Sequence, residues 1–252
     1  MTDDTTSDED HDSVHCATHG QAHTTYVCGH LAAQPVQQWY CDAPSPDNPW
    51  PDAWCKACDA EYLKAGEWND TNSACLDLQI LCHHCYAANI ATSADSLTGD
   101  ELEAWENTIC SCHGELHAKQ DALETQYALG KHKRFDYDQE TATLVFSNDG
   151  VAALVADVEF IGSVSTKSNT WLWSWANFST LLPVRSRISA VRDFGEDKGY
   201  PRLTVPQWPA EEVDGWEMAS VAAHLLGAQG VYRVPSANGF LFMAIMGVTV
   251  PA

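Results

Sequence analysis

Eight residues of this 252-residue chain are spaced as metal ligands: Cys16-x2-His19, Cys28-x-His30, Cys55-x2-Cys58 and Cys82-x2-Cys85. Two donors this close in sequence reach one ion from a tight turn, and two such pairs close a tetrahedron of Cys and His ligands. Four pairs therefore supply two ions, and the spacing predicts two structural Zn2+. Buried free thiols or disulfides are the bland alternative, but burial explains neither the repeated spacing nor the histidine partners. Each zinc would add on the order of 10 kcal/mol to folding. A catalytic zinc keeps a position open for water, and with all eight ligands in use neither ion has one.

Which pair joins which is open between two arrangements. A cross-brace joins the first pair to the third and the second to the fourth; a sequential arrangement joins neighbours. The cross-brace is preferred here, because the Pro-rich and irregular loop PVQQWYCDAPSPDNPWPDAW needs tying to a common centre. Cys41 and Cys75 have no nearby partner and read as buried or spare thiols. His83 and His84 lie inside the last pair, where they read as solvent-facing.

Further candidates lie downstream. Cys110, His113 and His117 share a face with Glu106 at helical spacing and could hold an additional metal; the plainer reading is a polar flank that carries histidines. Trp171, Trp173 and Trp175 alternate as on one face of a strand. They are either core or a binding surface, since Trp anchors interfaces. The chain carries no nucleophile elbow, no phosphate-cradling glycine loop and no HExxH, and His224 is tied by sequence to no nucleophile. No catalytic residues are expected.

The elements that must position these residues follow from pattern. CKACDAEYLKAG and CHHCYAANIA each read as a Cys pair opening a helix, where dipole and free amides favour thiolate. GQAHTTYV is β-prone. From about Gly99 to Tyr127 an apolar stripe (Leu102, Trp105, Ile109, Cys112, Leu116, Leu123, Tyr127) predicts one long linking helix. Beyond it RFDYD, ATLVFS and VAALVADVEFIGSVS read as strands, with Asn148-Asp149-Gly150 as a hairpin turn. Pro183 opens a helix that ends before Gly199, RLTV reads as a short strand, and a second helix spans about Ala210 to Gly227. GVYRV and GFLFMAIMGV close the chain as a hairpin. The expected class is α+β: a small zinc-stapled module at 14–92, then an antiparallel sheet with helices on one side at 99–252, which includes the long helix.

Charge is lopsided in the same way. The chain has 35 acidic and 13 basic residues, for a net charge of -22. Up to residue 113 there are 19 acids and two bases, Lys56 and Lys64, a balance of -17; the remainder has 16 acids and 11 bases, a balance of -5. Such a surface cannot displace the counterions of nucleic acid and is repelled by anionic lipid. Residues 1–13, MTDDTTSDEDHDS, hold six carboxylates and read as a disordered tail. They lack the cationic start and apolar stretch of a secretory signal, and no apolar run spans a bilayer. A reducing, cytoplasmic setting is therefore expected, where paired cysteines mean metal before disulfides.

FDYDQETATLVFSNDG, the Gly162-Ser163 step, TWLWSWAN, VRDFGEDKG and GWEMASVAAHLLGAQGVYRVP together resemble a bacterial family of functionally uncharacterised domains, over roughly residues 115 to 248. The front segment, CATHG through VCGHL, PDAWCKAC, EWND and LCHHCY, is similar to small zinc-binding modules of uncharacterised bacterial proteins. The resemblance implies a bacterial cytosolic protein and brings no activity. The function expected is a non-enzymatic protein-interaction module, with binding of a basic partner in the manner of an immunity protein or antitoxin as one version. Its rival is an enzyme with a small-molecule pocket in the back domain.

Overall fold

The computed structural model describes residues 13–42, 44, 47–132, 134–138, 140–176 and 182–251. The acidic tail expected over 1–13 lies outside them, apart from Ser13. The chain divides into two compact units, Met1–Ser96 and Leu97–Ala252.

The front unit holds β1 (Ser13–Cys16), β2 (Gly20–Val27), α1 (Gly29–Ala33), β3 (Trp39–Cys41), β4 (Ala53–Cys55), α2 (Lys56–Ala65), β5 (Gln79–Cys82) and α3 (His83–Ala94). β2 is its hub. It pairs antiparallel with β1 near its start, antiparallel with β5 along its second half, and parallel with β4 at Val27↔Ala53. The β1–β2 turn needs Gly20, whose φ of 71 lies in the left-handed region that closes a three-residue hairpin loop. The loop read as irregular contains a strand after all. Trp39–Cys41 pairs with Ala53–Cys55 because Trp39 buries its ring completely, donates from Nε1 to the Pro35 carbonyl (2.8 Å) and packs edge-on to Tyr86. The apolar core is thin: Val27, Leu31, Trp39, Ala53, Tyr86 and Ile90 are its main members.

The back unit begins with α4 (Gly99–Tyr127) and continues through β6 (Arg134–Asp138), β7 (Thr143–Asn148), β8 (Val151–Ser165), β9 (Thr170–Trp173), α5 (Leu182–Lys198), α6 (Pro201–Thr204), β10 (Gln207–Pro209), α7 (Glu212–Leu226), β11 (Gly230–Ser236) and β12 (Gly239–Thr249). The fold is α+β. Its seven strands form an antiparallel, curled sheet centred on β8, which pairs with β12 on one edge and with β7 and then β9 on the other. A bulge at Ile161 re-aims the strand halfway along. Asp149 (φ 52) and Gly150 (φ 83) make the tight turn between β7 and β8, as the Asn-Asp-Gly pattern predicts.

α4 buries Trp105, Cys112, Leu116 and Leu123 from its expected stripe, while Leu102 at its start stays exposed. α7 lies on β8 and β12 and against α4. Its approach depends on Gly215, where a Cβ would fall 2.7 Å from Val164 and 2.8 Å from Phe242. Glu211 and Asp214 cap α7 reciprocally. RLTV is not a strand: Pro201 at the first helical position presets φ, and α6 turns there, leaving the strand to Gln207–Pro209. Among the described residues no helix is long and apolar enough to cross a membrane.

Candidate metal centres

Each ligand pair is placed by a different local device. Cys16 and His19 flank the β1–β2 turn. Cys28, Cys55 and Cys82 are the N-caps of α1, α2 and α3, so that His30, Cys58 and Cys85 fall on the first turn of each helix. The Cys85 amide donates to Cys82 Sγ at 3.4 Å, and the Cys55 amide to Cys28 Sγ at 3.3 Å. At Cys82 a free helix amide thus meets the capping sulfur, the electrostatic fit that a capping carboxylate has elsewhere, while Cys28 takes its amide from the end of β4.

The sheet register then gathers the pairs. Cys82 at the end of β5 lies opposite Thr24 at the middle of β2, with its sulfur 3.3 Å from His19 Nδ1. Cys55 at the end of β4 lies beside Cys28 at the far end of β2, where the Cys28 amide donates to the Ala53 carbonyl at 2.9 Å. The result is two four-donor groups, Cys16/His19/Cys82/Cys85 and Cys28/His30/Cys55/Cys58, each with its ligand atoms within 4.8 Å of one another. The pairing is therefore nested, first with fourth and second with third, and not the cross-brace expected from loop length. One strand with a site at each end does the tying that the loops were thought to need.

The distances are those of a coordination shell. Cys16, Cys82 and Cys85 sulfurs lie 3.6, 3.3 and 3.5 Å from His19 Nδ1, and Cys16 and Cys85 sulfurs 3.9 Å apart. In the other group Cys58 Sγ lies 3.4 Å from His30 Nδ1. A tetrahedron with metal–sulfur bonds of about 2.3 Å and metal–nitrogen bonds of about 2.0 Å has edges of roughly 3.5–3.8 Å. Both groups could hold a metal ion, and three sulfurs with one imidazole is a donor set that suits zinc. Cys41 and Cys75 join neither group. Burial pushes the Cys41 thiol up to about 12. All ten cysteines are free thiols.

The two groups differ in electrostatics. Cys28, Cys55 and Cys58 are 0–2% exposed, and desolvation raises the Cys28 and Cys58 thiols above their ordinary range. Around His19 only Cys82 is fully buried. There the backbone amides of Thr18 and His19 lower the Cys16 thiol to about 6, while desolvation raises Cys85 to about 11. His84 faces solvent as expected, whereas His83 is half-buried. Their rings stack with centroids 3.9 Å apart, His84 stands 5.1 Å from His19, and His83 Nδ1 accepts the His23 amide at 3.1 Å.

In the back unit, Residues 106–248, more than half of the chain, match DUF6882, a family of unknown function. The chain belongs to this family. No curated protein matches the chain, and neither does a solved structure. The DUF6882 match runs from within α4 to within β12, so both four-donor groups lie outside it.

Inside the DUF6882 region the Trp motif is core. Trp171 and Trp173 are fully buried on β9, edge to face at 5.0 Å, with Trp173 Nε1 donating to the Arg202 carbonyl at 2.8 Å. Of the two readings, core holds for Trp171 and Trp173, which a binding surface would leave exposed. β9 runs between β8 and β10, and it ends at Trp173, so half-buried Trp175 sits in a 3-10 turn and not on the same face. Gly162 serves this packing, since a Cβ there would stand 2.5 Å from the Trp171 ring. The alternative of an additional metal on Cys110, His113 and His117 is not gathered, and the plainer reading of a polar flank fits better: Cys110 is exposed on α4, and among the described residues it joins no group with His113 and His117. His224 instead pairs with Glu115 at 2.6 Å.

Proposed function

We propose that the front unit is a two-zinc structural module and that the chain works as a non-enzymatic protein-interaction module for a basic protein partner in a reducing, cytosolic setting. The structural role is supported by closure: each group brings four protein donors within 4.8 Å of one another, enough to fill a tetrahedral shell and leave no position for water or substrate. The partner's sign follows from charge. Six thiolates and two Zn2+ add -2 to a segment that already holds 19 acids against two bases. A steering field of that sign favours cationic proteins and disfavours nucleic acid. Binding of a basic effector, as an immunity protein or antitoxin does, is one form this takes.

Elemental analysis of chain purified without chelator is expected to give two zinc ions per chain; less than one would sink the structural role. Capture of basic proteins from the native host should weaken steeply as salt is raised from about 50 to 500 mM, because screening shortens the field. If nothing salt-sensitive is retained, the interaction reading fails. The rival, an enzyme with a small-molecule pocket in the back unit, draws its support from a cavity of about 620 Å³ between α4 and α7, a volume that fits a small ligand.

A further inference from the structure

The same cavity carries chemistry that the front module does not use. His113 and His117 stand one helical turn apart on α4, with ring centroids 4.9 Å apart and edge to face. They line the cavity together with Leu116 and Gln120, while α7 supplies Glu212, Val213 and Trp216 from the opposite wall. Two of the polar groups are already committed to the fold. Gln120 Oε1 accepts the Val231 amide at 2.8 Å, and Glu212 is ion-paired with Arg233. Among the described residues neither imidazole has a hydrogen-bond partner. A carboxylate stands within electrostatic reach: Glu217 on α7 is pushed up by burial and then by Asp214, against the smaller opposing effects of Arg202 and His113.

Histidines at i and i+4 on one helix face chelate a single metal ion, the arrangement that zinc-peptidase helices use. Imidazole donors suit Zn2+, Ni2+ and Cu2+, and the Irving–Williams order sets their relative affinity. We infer that His113 and His117 form a labile site for a divalent transition-metal ion on the wall of the α4–α7 cavity, its remaining coordination positions open to whatever the cavity admits. This site differs in kind from the front groups. With two protein donors in place of four, it exchanges its ion, and an open shell can bind a second ligand where a closed one cannot. Cys110, one turn before His113, takes no part. The site is independent of the front module, and its failure would leave the zinc count of that module untouched.

The test is calorimetric titration of the tag-free, zinc-loaded full chain with Ni2+. One Ni2+ per chain is expected beyond the two zinc ions. His117→Ala, at an exposed position, and separately His113→Ala should each weaken Ni2+ binding at least tenfold, with zinc content and circular dichroism unchanged. Cys110→Ala should leave binding as it was. Ni2+ should quench part of the tryptophan fluorescence, and Trp216→Phe should remove that part, which puts the ion inside the cavity. Absence of Ni2+ uptake, uptake indifferent to His117→Ala, or uptake abolished by Cys110→Ala would each overturn the assignment. Should His113→Ala fail to fold, the exposed His117→Ala decides alone.

Discussion

The Cys28/His30/Cys55/Cys58 and Cys16/His19/Cys82/Cys85 groups have the same donors and turn the same histidine nitrogen, Nδ1, toward their sulfurs, but the first draws on two helix N-caps and the second on one, and the first has all three sulfurs buried and the second only one. The difference lies at the two ends of β2. At its far end Cys28 is enclosed by β4 and by the α1–β3 segment, with Leu31 and Trp39 fully buried. At its near end the metal group sits on a hairpin turn whose residues face solvent. Spacing therefore specifies what a site can bind, while enclosure specifies how easily it lets go. The back unit widens the contrast: fully buried Trp171, Trp173, Trp208, Phe146 and Phe242 give it a larger aromatic core, where the front unit has Trp39 alone among its fully buried large aromatics.

The largest effect expected is removal of metal. A strong chelator should unfold the front unit, since each structural zinc contributes on the order of 10 kcal/mol, while hydrogen exchange on the full chain shows β8 and β12 still protected. Equal loss of protection in both units would break the contrast. Below saturation, chelator should take zinc from the Cys16 group first. Mass-resolved alkylation of partly stripped chain should accordingly modify Cys16 and Cys85 before Cys28 and Cys58.

Single ligands come next. Cys58→Ser removes a buried sulfur and should halve the zinc content and destabilise the front unit by several kcal/mol. Cys16→Ser should also halve it, at a visibly smaller loss of melting temperature. A reversed order would show that enclosure does not govern these sites. In the back unit the matching change is Gly162→Ala, which forces a methyl group against Trp171. Overpacking should cost about 1–3 kcal/mol in denaturant unfolding, with zinc retained in full.

Acid gives the smallest effect on the back unit and so sharpens the comparison. Glu115 is held below its ordinary 4.5 first by the Lys119 hydrogen bond and then by that from His224. A carboxylate lowered on folding contributes stability that is fully present above its unfolded pKa and lost as pH falls through the folded one. Between pH 7 and 5 the Glu115 contribution should hold constant, while protons competing for thiolate take zinc from the front unit. Proteolysis at pH 5 should then cut the front unit alone.

Much of this was legible in the residues. The eight ligands showed in their spacing, because chelation by a turn or a helix start is a local geometric demand. α4 showed from Gly99 to Tyr127 in one apolar stripe, and the turns at Asn148-Asp149-Gly150 and Gly199 in residues that tolerate positive φ. Misreadings came where long-range packing overrode local pattern. Trp171, Trp173 and Trp175 alternate in sequence, but the strand ends after Trp173. Cys110 shares a helix face with His113 and His117, but nothing draws it to them. The segment between α1 and β4 looked irregular because its strand, β3, is three residues long and depends on β4.

The sequence by itself thus determined the donors, their count and the α+β class, since each rests on contacts between near neighbours. Only the tertiary structure decided which pairs come together, which group is enclosed and which histidines line a cavity. Those depend on strand register and on helices packing across distances that no local spacing records.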